Sequence, residues 1–190
     1  VEPDRKTQIL KSAAKRFARH GLNKTTLDEI ARDLRIGKAT IYHYFKSKED
    51  LFYKTLEYDA SLFISDIKNI ISNEEVTLKE RLINYFNYKR GLKDKYKLLY
   101  DIILTIFEDE GLDKEKEILK NLIDEEEKVL KPFLKKLKDE NIASPLSKFF
   151  LIQSWGILFG RKLYDLKENG TQDNDESFFS DFINIINSEI

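Results

Sequence analysis

The 190 residues contain no cysteine and no methionine, and only two histidines, His20 and His43. Without cysteine there is no disulfide framework, no thiol nucleophile and no thiolate metal site. His43 has no second histidine or well-spaced carboxylate beside it, so a metal site is not expected. His20 precedes Gly21 at the end of a helical pattern, where a cation or a carbonyl-bonding ring is stabilising. Proline occurs only at positions 3, 132 and 145, and no alternating strand pattern with hairpin turns appears. The fold expected is therefore all-α. No apolar run approaches the ~20 residues of a membrane span; the longest, FFLIQSWGILFG, contains Gln153 and Ser154. No P-loop, GxGxxG or nucleophile elbow is present, so neither an enzyme nor a cofactor is expected. No signal-like segment opens the chain, which reads as cytoplasmic and, starting at Val1 without methionine, as trimmed.

Charge is nearly balanced, with a formal net of −1. Its distribution is not. Residues 1–50 hold 12 Lys/Arg against 7 Asp/Glu, net +5, and the remaining 140 hold 21 against 27, net −6. From Arg35 to Lys48 there are four basic residues and no acidic one. A basic patch on an acidic protein localises a phosphate-binding face.

That patch coincides with the most informative stretch, TLDEIARDLRIGKATIYHYFKSKED, Thr26 to Asp50. Thr26 with Glu29 forms a capping box. Leu27, Ile30, Ala31 and Leu34 then make the buried stripe of a two-turn helix. Arg35-Ile36-Gly37 breaks the period, and Gly37 serves as N-cap of a second helix from Lys38. Ile41 and Phe45 share its core face. Ala39, Thr40 and His43 fall opposite, flanked by Tyr42 and Tyr44. Ser47-Lys48-Glu49-Asp50 opens a further helix, placing Lys48 in a first turn that favours phosphate. Two helices joined by so short a turn describe a helix-turn-helix, whose second helix enters the major groove.

With its flanks, this segment resembles the DNA-binding domain of the TetR family of bacterial regulators. The resemblance is carried by AAKRFARHG closing a first helix (Lys6 to His20), by Thr25-Thr26 leading into LDEIARDL, and by GKATIYHYFKSKEDLF. It covers roughly residues 5 to 52. Two positions depart from the family: Arg35 stands where a turn glycine is common, and Gly37 where Ser or Thr is. An Arg35 with φ > 0 would carry strain on the order of 1 kcal/mol. The resemblance implies that Thr25, Thr26, Tyr44 and Lys48 contact phosphates and that Lys38, Ala39, Thr40, Tyr42 and His43 face bases. It further implies a homodimer on palindromic double-stranded DNA and an effector pocket, mostly apolar, in the remainder.

The expected division is a DNA-binding domain over 1–50 and a helical effector-binding and dimerisation domain over 51–190. Beyond Leu51 the pattern reads as helices over 47–72, 76–93, 96–108, 113–140 with a kink or split at Pro132, 145–168 and 177–190. The helix from Ser47 would serve both domains as a rigid connector. The run Asp124-Glu125-Glu126-Glu127 reads as a solvated face, since consecutive helical residues point in different directions. Most aromatics here read as packing, with Tyr100, Phe107 and Trp155 as candidate pocket wall. Phe149, Gln153, Gly156 and Gly160, with Phe178, Phe179, Phe182, Ile183 and Ile186, form the candidate dimer interface. The function expected is a ligand-responsive repressor. Alternatives are a DNA-binding helical protein without effector, and a helical enzyme or interaction module with a fortuitous helix-turn-helix.

Overall fold

A computed structural model describes residues 4–106, 111–136 and 147–156. These are helical, with no strand among the described residues: α1 (Arg5–Lys24), α2 (Leu27–Asp33), α3 (Lys38–Tyr44), α4 (Lys48–Ser72), α5 (Leu78–Arg90), α6 (Leu92–Lys95), α7 (Lys97–Ile106) and α8 (Asp113–Lys135). Residues 147–156 are helical as well. The all-α expectation holds. The chain forms two compact units, one of Val1–Phe63 with Lys93–Leu122, the other of Ile64–Leu92 with Ile123–Ile190. These units do not follow chain order, and α4 contributes to both.

In the first unit, α1 starts where the Asp4 carboxylate accepts the Thr7 N–H at 3.0 Å. It buries Ile9, Ala13 and Phe17 on one stripe, and the Phe17 ring meets Phe52 of α4 edge-on at 5.2 Å. Gly21, at φ 72° and ψ 172°, interrupts the helical backbone just after His20. The predicted end of the first helix is thus the position of a kink, with one further turn beyond it. α2 carries the expected reciprocal cap: the Glu29 N–H donates to the Thr26 hydroxyl and the Thr26 N–H to the Glu29 carboxylate. Two backbone bonds close its far end, Ile36 N–H to Ala31 O at 3.0 Å and Arg35 N–H to Arg32 O at 3.1 Å. That pairing is a Schellman cap, which needs a left-handed residue after the helix. Arg35 supplies it at φ 53°, so the arginine accepts the strain that a glycine would avoid. Ile41 and Phe45 are buried as expected, anchoring α3 on the same apolar cluster as Leu27, Ile30 and Leu51.

In the second unit the structure corrects three expectations. The helix expected over 76–93 starts at Leu78, because the Thr77 hydroxyl accepts the Glu80 N–H and Glu80 bonds back, a second capping box that hydrophobic spacing alone did not reveal. Pro132 does not split α8, which continues through it to Lys135; so near a helix end it removes a single late backbone bond. Glu126 is not on a solvated face. It is fully buried with Lys89, whose ammonium lies 2.7 Å from its carboxylate. The Tyr85 hydroxyl (2.5 Å) and the Trp155 indole N–H (2.9 Å) donate to the same carboxylate. The Lys89 ammonium also donates to the Ser154 hydroxyl at 2.9 Å and stands 3.7 Å above the Trp155 ring. Glu126 occupies the buried stripe of α8 between Leu122 and Leu130, both at helical spacing from it. Burial pushes the Lys89 ammonium down to about 8, against the pull of Glu126.

Candidate nucleic-acid interface

The reading face is built by burying one side of α3. With Ile41 and Phe45 in the core, the geometry of a seven-residue helix turns Lys38, Ala39, Tyr42 and His43 outward. Tyr42 is 52% exposed, unusual for a large aromatic. His43 and Tyr44 stack edge-on at 5.0 Å, so the imidazole and one phenol stand as a unit on the surface. Thr40 is half-buried. Small, hydroxyl and imidazole groups on one face suit base edges in a major groove.

The other candidate residues divide into those at the surface and those that position it. Thr26 is exposed at the start of α2, its hydroxyl engaged with Glu29. Thr25 is fully buried, and its hydroxyl donates to Gly21 O at 2.8 Å and Arg16 O at 3.3 Å, so its side chain closes the end of α1. Lys48 donates to Leu22 O at 2.9 Å. An ammonium has three donors, so two N–H groups remain for a phosphate while the third ties α4 to α1. Ser47 caps α4 by accepting the Asp50 N–H at 3.1 Å, and the Asp50 carboxylate in turn accepts the Lys46 N–H at 2.8 Å. Lys38 pairs with Asp28 at 2.8 Å; both are exposed, and such pairs contribute little.

Sequence spacing missed Arg16. Its guanidinium makes two parallel bonds to Asp33, each 2.6 Å, and locks α1 to α2. The same contact holds the Asp33 carboxyl below its ordinary range. No local signal marks this pair, since the partners lie 17 residues apart. His20 is exposed near the Gly21 kink of α1.

Tyr100 and Trp155, the candidate pocket residues, fall in different units, and Phe107 lies outside the described residues. Phe149 and Gly156 are exposed on the helical segment 147–156, with Ile152 beside them and Gln153 half-buried. Gly160, Phe178, Phe179, Phe182, Ile183 and Ile186 lie outside the described residues.

Residues 9–54 match the family model of the bacterial regulatory proteins, tetR family. The uncharacterized HTH-type transcriptional regulator YhgD of Bacillus subtilis (strain 168) is 30% identical over 108 residues, 56% of this chain and 53% of that protein. The chain therefore spans about half the length of that relative. A TetR transcriptional regulator from Legionella pneumophila has a similar structure, with a TM-score of 0.66 at 21% identity over 99% of this chain and 98% of that one. The regulator FadR from Bacillus subtilis, solved in complex with stearoyl-CoA, gives a TM-score of 0.59 at 20% identity, covering 88% and 90%. At such identities the likeness establishes a shared fold.

Proposed function

We propose that this chain, whose residues 9–54 match the tetR family model, is a sequence-specific transcriptional regulator, a ligand-responsive repressor that binds a palindromic operator as a homodimer. The observation that carries this reading is the outward face of α3, where exposed Tyr42, His43 and Tyr44 stand over a helix anchored by Ile41 and Phe45. In this reading Lys38, Ala39, Thr40, Tyr42 and His43 meet base edges, while Thr26, Tyr44 and Lys48 meet phosphates. Residues 1–50 act as the DNA-binding domain and 51–190 serve effector binding and dimerisation.

Two heads of a dimer must reach successive major grooves, about 34 Å apart. An effector that prefers a dimer with another spacing weakens DNA by the same factor that DNA weakens it. The effector is a small molecule with a substantial apolar part. Work on operator DNA places the protein in the cytoplasm, and the chain binds without turning over a substrate. Selection of bound sites from random duplex DNA tests the whole reading. The expected outcome is one enriched palindrome with salt-dependent affinity. Enrichment of no sequence, or of an asymmetric one, would refute it.

A further inference from the structure

Between Arg35 and Lys48 the sequence carries no acidic residue, yet the fold brings one to that stretch. The Asp28 carboxylate of α2 accepts from the Lys38 ammonium, in the first turn of α3, at 2.8 Å. The carboxylates of α2 divide by task. Glu29 is taken by the Thr26 cap and faces Arg16, and Asp33 is held in the Arg16 fork. Asp28 instead turns to α3, the helix that carries the outward reading face. Its carboxylate raises the Lys38 ammonium above its ordinary range.

Stability does not account for this pair. The Lys38 and Asp28 side chains are 44% and 60% exposed, and an ion pair in water contributes little once the entropy of fixing two side chains is counted. Its effect on a ligand is larger. A free lysine is a flexible point charge that suits any phosphate, and each one so used adds sequence-independent affinity. A carboxylate 2.8 Å from the ammonium offsets that charge and itself repels a phosphate. It also takes one of the ammonium's N–H groups and so fixes the direction of the others. Fixed donors suit the N7 and O6 acceptors of guanine, the contact by which lysine reads a base. Tyr42, exposed and four residues on from Lys38, shares its face of α3. The ammonium therefore belongs to the base-facing side of the helix.

We propose that Asp28 is a positioning residue for base readout: through its ion pair it holds Lys38 for a guanine in each half-site and withholds it from the phosphate backbone. This deepens the regulator reading above, on which it rests, by assigning a base and the residue that enforces the choice.

The test takes the full chain, unsubstituted and as Asp28→Asn, Lys38→Ala and the double variant, through selection from random duplex DNA. Binding to the selected site is then measured with each base pair permuted. The unsubstituted chain is expected to prefer guanine at one position of each half-site, a preference that Lys38→Ala lowers about tenfold. Asp28→Asn should lower the same preference at least about fivefold. It should also raise affinity for nonspecific duplex about threefold and steepen the salt slope by about one per half-site, because the lysine is released to phosphate. With Lys38→Ala already present, Asp28→Asn should leave base preference and salt slope unchanged. An Asp28 that served only the positive start of α2 would behave differently, its loss weakening specific and nonspecific DNA alike. That result would overturn the proposal. So would a guanine preference unmoved by Asp28→Asn, or equal effects of Asp28→Asn with and without Lys38. Any of these alongside an enriched palindrome removes this inference and leaves the regulator reading standing, whereas enrichment of no sequence removes both.

Discussion

At Gly21 the absence of one carbon sets the path of the chain. Its φ of 72° with ψ of 172° belongs to a region that essentially only glycine occupies, and an added Cβ would meet nothing within 4 Å. The cost of a side chain there is therefore conformational and not steric. Gly21→Ala should lower stability by about 1–3 kcal/mol, read as a shifted denaturant midpoint at unchanged slope. Asp59 shows a different residue-scale effect. Its carboxyl stands at about 7 when folded against 3.8 for the ordinary group, so between those values the folded state holds the extra proton. Folding is thus unpenalised below about pH 4 and progressively penalised up to about pH 7, with a ceiling on the order of 4 kcal/mol. Asp59→Asn should be more stable than the unsubstituted chain at about pH 8, with the gap closing towards about pH 4. A gap that does not vary with pH would show that Asp59 is not buried as a charge. On α3 and α4 the residues differ in kind. Lys48→Ala should weaken specific and nonspecific DNA alike and lower the salt slope by about one per half-site. His43→Ala or Thr40→Ala should instead cost about 1–3 kcal/mol at the cognate site and relax base preference. Unchanged operator affinity in all three would remove α3 from the groove.

Elements in the second unit are joined by charge as much as by apolar contact. Lys89 of α5, Glu126 of α8 and Ser154 with Trp155 of segment 147–156 meet in one satisfied cluster. Removing one partner of a buried pair leaves an uncompensated charge, at about 3–5 kcal/mol, whereas replacing both by neutral groups is often tolerated. Lys89→Met should therefore be strongly destabilising. Adding Glu126→Gln should restore part of the loss, since it removes the unpaired charge, although the single amide oxygen can replace only one of the two carboxylate oxygens that accept from Tyr85 and Trp155. Thermal unfolding of the two single variants and the double variant measures this coupling. Additive effects would mean that the ammonium and carboxylate do not sense each other.

For the whole molecule, the proposed homodimer needs an apolar surface that the single chain leaves open. Segment 147–156 turns Ser147, Phe150 and Ser154 inward, while Phe149 is 44% and Ile152 68% exposed beside a bare Gly156. A twofold interface brings one substitution to bear twice. Ile152→Glu should give a folded monomer in sedimentation equilibrium and much weaker operator binding, because one head engages only half of a palindrome. A dimer unaffected by Ile152→Glu would place the interface elsewhere.

The helix-turn-helix was legible in the sequence because everything that defines it acts over three or four residues. The Thr26–Glu29 box, the Gly37 cap, the Ile41–Phe45 core pair and the Ser47–Asp50 cap are all local contacts, and each forms as its spacing required. The Arg35 turn was legible as a question, and its φ of 53° answers it. What only the tertiary structure decided are pairings between distant residues. Lys48 reaches Leu22 across 26 residues, Arg16 reaches Asp33 across 17 and Lys89 reaches Glu126 across 37. Periodicity reports which way a side chain points relative to its own helix but not what stands opposite. Glu126 within an acidic run and Asp59 within a mixed one therefore gave no sign in composition of being buried, one with a cation and one without.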